Sequence, residues 1–206
     1  MSVLPIRTIG DPVLRTRAEE VTVFDDALRR LVADMHETML DVGGVGLAAP
    51  QVGVSVRLFT WAVEGSEGHV VNPVLEVGEE PQEGGEGCLS VPGLGFDTPR
   101  RNWARVTGLD QHGGPVAVEG TGLLARCLQH ETDHLDGRLY VDRLVGAAKK
   151  EAMRAIRAAD YDGVVRGVAG QRAAHVGSSF GAGSSFGAGS SFGAGSSPGA
   201  GPSRLA

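Results

Sequence analysis

Apolar residues along this chain recur with two different periods. In "DDALRRLVADMHETMLDV" (25–42), Leu28, Leu31, Val32, Met35 and Met39 return every three or four positions, the spacing of one helical stripe. Asp25 and Asp26 stand at its start, where the helix dipole favours negative charge, and Gly43 lies just past its end. "TGLLARCLQHETDHLDG" (121–137) predicts a second helix between a Thr121 cap and Gly137. "GAAKKEAMRAIRAAD" (146–160) predicts a third, with Ala152, Met153 and Ile156 on its apolar face and basic residues beside them. Between the first helix and the other two, "VSVRLFTWAV", "HVVNPVLEV", "WARVTGLD" and "PVAVEG" read as strands, the last two joined by "QHGG" into a hairpin. Strands clustered between helices point to an α+β fold with short antiparallel or mixed sheets rather than a doubly wound one.

Composition narrows the class. A chain of 206 residues, 41% hydrophobic and 21% charged, suits one well-packed domain. From Ser178 it runs SSFGAG, SSFGAG, SSFGAG, SSPGAG, PSRLA, a repeat that can bury at most one Phe per copy. Gly and Ser raise the cost of ordering without offsetting burial, so 166–206 is expected to be a flexible tail and 1–165 the folded domain. No basic stretch followed by an apolar one opens the sequence, and no apolar run reaches the ~20 residues of a membrane span. With two cysteines, Cys88 and Cys127, the expectation is a reducing cytoplasm. Residues 1–137 hold 10 Arg/Lys against 21 Asp/Glu, whereas 138–172 hold 8 against 4, so an anionic partner could be met only at the carboxy-terminal end.

The candidate chemistry lies in "LQHETDHLDG" (128–137). Four residues turn a helix by roughly 400° and raise it about 6 Å, so His130 and His134 share a face and can bind one ion. Glu131 stands where an H-E-x-x-H site carries its general base. Three residues could supply a third ligand. Cys127 lies about 10 Å of helical rise from His134, too far to share an ion, and reads as an apolar wall. Glu151 would make a peptidase-like site. Cys88, in the loop-like "EGCLSVPG", could reach across a cleft and leave one position for water, the catalytic rather than the structural pattern. A non-catalytic metal module would need a fourth protein ligand, and none is evident. "GGVGLAAPQVG" (43–53) lacks a phosphate-loop ending; its small residues let a backbone approach closely and lead to the amide of Gln51.

These three stretches, G-x-G-x-A-A-x-Q at 44–51, E-G-C-x-S at 86–90 and H-E-x-x-H at 130–134, resemble in order the bacterial peptide deformylases. "GDPVLRTRAEEV" and "DHLDGRLYVDRL" are similar to the family too, and the likeness covers about residues 5–160. It implies a small α+β fold around a central metal-binding helix and removal of formyl from the initiator methionine of nascent peptides. It implies Cys88, His130 and His134 as ligands of a divalent ion, Fe2+ natively, with Zn2+, Ni2+ or Co2+ able to substitute. A water completes the site, and Glu131 serves as base and then acid. Gln51 and the Leu89 backbone N–H would hold the formyl oxygen, and Val45 and Gly46 would clamp the peptide as an added strand. The expected enzyme is a cytoplasmic monomer without membrane contact. Lys149, Lys150, Arg154 and Arg157 on the last helix would dock it on ribosomal RNA near the tunnel exit. Two departures bear on peptide preference: Arg126 replaces an apolar residue near the methionine pocket, and "GLGFDTP" replaces a segment that often carries an Arg.

Overall fold

The computed structural model describes residues 2–159, so the tail and its repeats lie outside the described residues. After a single 3-10 turn (Pro12–Arg15) come α1 (Asp26–Asp41), β1 (Gly46–Ala48), a second 3-10 turn (Ala49–Val52), β2 (Leu58–Val63) and β3 (Ser66–Val77). Short strands β4 (Pro81–Gln82), β5 (Gly85–Cys88), β6 (Val91–Asp97) and β7 (Arg100–Arg101) lead to β8 (Trp103–Leu109) and β9 (Pro115–Thr121). The chain closes with α2 (Gly122–Leu135), a one-turn α3 (Tyr140–Arg143) and α4 (Gly146–Ala158).

Five strands form one antiparallel sheet in the order β1-β2-β3-β8-β9; β4 pairs with β7, and β5 with β6. Side-chain alternation along β2 decides which helix covers which face. Phe59, Trp61 and Val63 join Ala125, Leu128 and Leu135 of α2 on one face. Leu58, with Leu47 of β1, joins Leu28, Val32, Met35 and Met39 of α1 on the other. A third cluster, of Leu14, Cys88, Val91, Leu139, Tyr140 and Ala152, fastens α4 beside the β5–β6 hairpin.

The three expected helices and the four expected strands are present, with shifted ends. β2 starts four residues later than its apolar run because Val56 pairs instead with Glu19 in an isolated parallel bridge. β3 begins three residues early, since Glu64 (φ 50) and Gly65 (φ 83) make a two-residue turn of the kind that continues strand twist. Asn72 (φ 51) breaks the β3–β8 register, and its amide pairs with both backbone groups of Val21 at 2.8 and 2.9 Å, pinning the amino-terminal segment to the sheet. Asp110 closes the β8–β9 turn by accepting from the His112 and Gly114 amides. Asp25 caps α1 by accepting from Leu28 N, whereas Thr121 sits at the α2 cap position without a side-chain bond.

Every residue of α2 from Ala125 to Leu135 is buried, polar ones included. Its carboxy-terminal end is held by Ala18 N donating to Leu135 O at 2.8 Å and by Arg57 Nη1 on Asp136 at 2.9 Å. Gly137 then turns the chain away at φ 71, where a Cβ would lie 2.9 Å from the Arg15 carbonyl. Left-handed backbone and close packing therefore both demand glycine there. Gly137→Ala should lower the unfolding free energy by about 2 kcal/mol, read from the urea midpoint at unchanged slope.

Candidate metal centre

His130 and His134 lie one turn apart on α2 and face the same side, Nε2 to Nε2 at 3.2 Å. Cys88, the last residue of β5, reaches them from across the fold, its Sγ 3.3 Å from His134 Nε2. A break in the β5–β6 register between Gly87 and Cys88 turns the thiol toward the helix. The three candidate ligand atoms lie within 4.8 Å of one another, and all three residues are buried. Among the described residues this is the one such group. Cys127 and Glu151 fall outside it. Cys127 Sγ bonds to Val45 O at 3.3 Å, as a wall residue would, and Glu151 is exposed on α4.

One thiol and two imidazoles are the donor types of a zinc- or iron-class ion. The buried surroundings fit such an ion too. Glu131 is 1% exposed, and its Oε2 has no hydrogen-bond partner. Burial, helped by the nearby charges of Glu86 and Asp133, pushes its carboxyl up to about 7, with His130 and Arg100 opposing. A buried carboxyl with a raised pKa thus stands beside the three candidate ligands.

The other expected site residues surround this group. Gln51 is fixed by its Oε1 accepting from Ala48 N at 2.8 Å, which sends Nε2 toward Cys88 Sγ (3.7 Å) and Ser90 Oγ (3.4 Å). Leu89 follows Cys88 in the hairpin turn and faces Gly44. Val45 lies just before β1 and Gly46 opens it, at the edge of the sheet and against α2. A Cβ on Gly46 would lie 2.8 Å from Cys127 Sγ and closer still to Glu131 Oε1. The glycine is what allows strand and helix to approach.

Sequence reasoning missed the charged frame behind the ligands. Glu86 Oε2 lies 2.9 Å from His130 Nδ1, so Nε2 is the nitrogen that could hold an ion. Arg100 forks onto Glu86 at 2.6 and 3.0 Å and reaches Asp133 at 2.6 Å. Arg143 joins Asp133 from the other side. Burial would raise the Glu86 pKa, but hydrogen bonds from His130 and Arg100 overcome it and bring it to about 2. Arg126 is only 4% exposed; it bonds Glu86 and the Thr98 carbonyl, both at 3.0 Å, and is thereby part of this frame. Two signals in the sequence could have revealed the frame: charges inside a helix too apolar at its flanks to face water, and an arginine pair just before β8.

Comparison with known proteins gives one consistent result. The family model described as polypeptide deformylase matches residues 3–150. A peptide deformylase of Acidothermus cellulolyticus is 58% identical over 163 residues, 79% of this chain and 91% of that protein. Peptide deformylase 1 of Corynebacterium efficiens is 51% identical over 166 residues, 78% and 98% of the two chains. Among solved structures, the Thermus thermophilus peptide deformylase superposes with a TM-score of 0.71 at 44% identity, over 77% of this chain and 95% of that one.

Glu86→Gln removes the anionic acceptor that orients His130. Affinity for a divalent ion should fall ~10–100-fold, measured by titrating Zn2+ into apo-protein against a competing chelator.

Proposed function

The chain belongs to the polypeptide deformylase family, whose members are metal-dependent and remove the N-formyl group from newly made peptides, and from that premise we propose how its residues divide the work. Cys88, His130 and His134 hold one divalent ion. Bound there, it supplies Lewis acidity toward the formyl group and the attacking water. Iron(II) is the native ion on this reading, with zinc, nickel or cobalt as substitutes. The observation that carries the reading is the convergence of the three ligand atoms beside a buried carboxylate without a partner.

Glu131 takes a proton from the water that attacks the formyl carbon and returns it to the departing amine. Its pKa, raised by burial to about 7, suits both halves of that task. The Gln51 amide and the Leu89 N–H donate to the formyl oxygen as it becomes anionic, and Gln51 is pre-aimed by its bond to Ala48. The peptide adds as a strand along β1, whose outer edge carries no partner strand within the sheet. The catalytic domain spans 1–165 and works as a monomer in the cytoplasm, where formylated chains are made.

Glu131→Gln should retain the ion by elemental analysis and lose ~10²–10⁴-fold in formate release from formyl-Met-Ala-Ser, with the peptide bonds intact. Near-normal turnover would remove Glu131 from its role, and cleavage within the peptide would point to a peptidase.

Docking at the ribosome exit is a second reading, favoured by α4. Lys150, Arg154 and Arg157 are exposed at i, i+4 and i+7, so they make one basic stripe. Lys149 does not belong to it, because its Nζ turns back to the Val141 carbonyl at 2.8 Å. Changing the three stripe residues to Ala should abolish co-sedimentation with ribosomes at low salt and leave turnover of a free formyl-peptide unchanged. Equal pelleting of both proteins would end the docking proposal.

A further inference from the structure

On the face of the sheet opposite the metal centre, a groove of ≈ 770 Å³ opens between α1 and the β2–β3 hairpin. Val32, Ala33 and Leu40 make its apolar wall, and Leu40 is 53% exposed. Leu40 lies outside the stripe that packs α1 onto the sheet, so the core does not account for it. Opposite run Thr60, Gly68 and His69, with His36 Nε2 and Glu67 Oε2 3.8 Å apart at the rim. Glu37 lines the groove as well, and its Oε2 is buried without a hydrogen-bond partner. The site therefore offers an apolar slot with an acidic rim.

The sequence holds a segment with the matching chemistry. Phe180, Phe186 and Phe192 each stand in the same SSFGAG setting, flanked by hydroxyl and amide donors. No charged side chain occurs between Gly177 and Ser203, so nothing there would repel the acidic rim of Glu37, Asp41 and Glu67. We propose that the chain's own SSFGAG segment docks in this groove, one phenylalanine at a time filling the slot.

Length permits it. The 21 residues that follow Ala159, up to Phe180, span at most ~75 Å, against a radius of gyration of ~15 Å for a domain of this size. A phenylalanine buries ~150–250 Å² and contributes little affinity alone. Tethering raises its effective concentration to the mM range, and three equivalent copies multiply the chance that one is seated. The docking is thus weak and exchangeable, and the repetition of the motif has a physical reason.

The test compares amide NMR spectra of the full chain with those of a full chain carrying Phe180→Ser, Phe186→Ser and Phe192→Ser. Shift changes should be confined to residues 32–41, 60, 66–69 and 111. A second pair of proteins, both carrying Leu40→Lys, should lose that difference. Adding the peptide SSFGAGSSFGAGSSFGAG at mM concentration to the triple variant should restore the full-chain shifts. Spectra identical over 2–159, changes located elsewhere, or changes that grow with protein concentration (a tail seated on a neighbour) would each overturn the proposal.

Discussion

A buried carboxylate organises this molecule. Glu86 accepts from His130, from Nε and Nη2 of Arg100 and from Arg126, and is itself only 1% exposed. Isolated, such a charge would be costly enough to neutralise or unfold its surroundings. Satisfied on every side, it fixes the ring of His130, ties the β5–β6 hairpin to α2 and aims Cys88 at the same point in space. Asp133 extends the frame to Arg143 and so to the segment leading into α4. The ligand group is consequently framed from two elements far apart in sequence, β5 and α2.

What the sequence disclosed follows from range. Helix periods, the acidic start of α1 and the β8–β9 turn depend on neighbours within a few residues, and they were legible. So was the pairing of His130 with His134, because helix geometry alone sets it. Cys88 remained one of three possible ligands until the family motifs were recognised. No local rule brings a residue at 88 to a helix at 130.

The unread features are non-local too. β1 is three residues long and hidden in a glycine stretch that reads as a turn; only pairing with β2 makes it a strand. β2 loses its first residues to Glu19, a partner 37 positions earlier. The ends of α2 show the same thing: Thr121 has the residue type of a cap but no capping bond, whereas Arg57 and Ala18 serve the other end from a distance. Arg126 is anchored to Glu86 and Thr98, since a buried guanidinium is drawn to the nearest anion and carbonyl.

The open edge of β1 carries a risk as well as a use. Unpaired strand edges invite sheet extension between molecules, and proteins blunt them with charge, proline or a covering element. Here none of these devices can stand on the edge itself without closing it to a peptide. Brevity takes their place: three residues, ended at once by the 3-10 turn at Ala49–Val52, give a neighbouring molecule too short a template to propagate on. If the peptide adds there as proposed, the same edge is long enough to hold a chain's first residues and too short to seed a fibril.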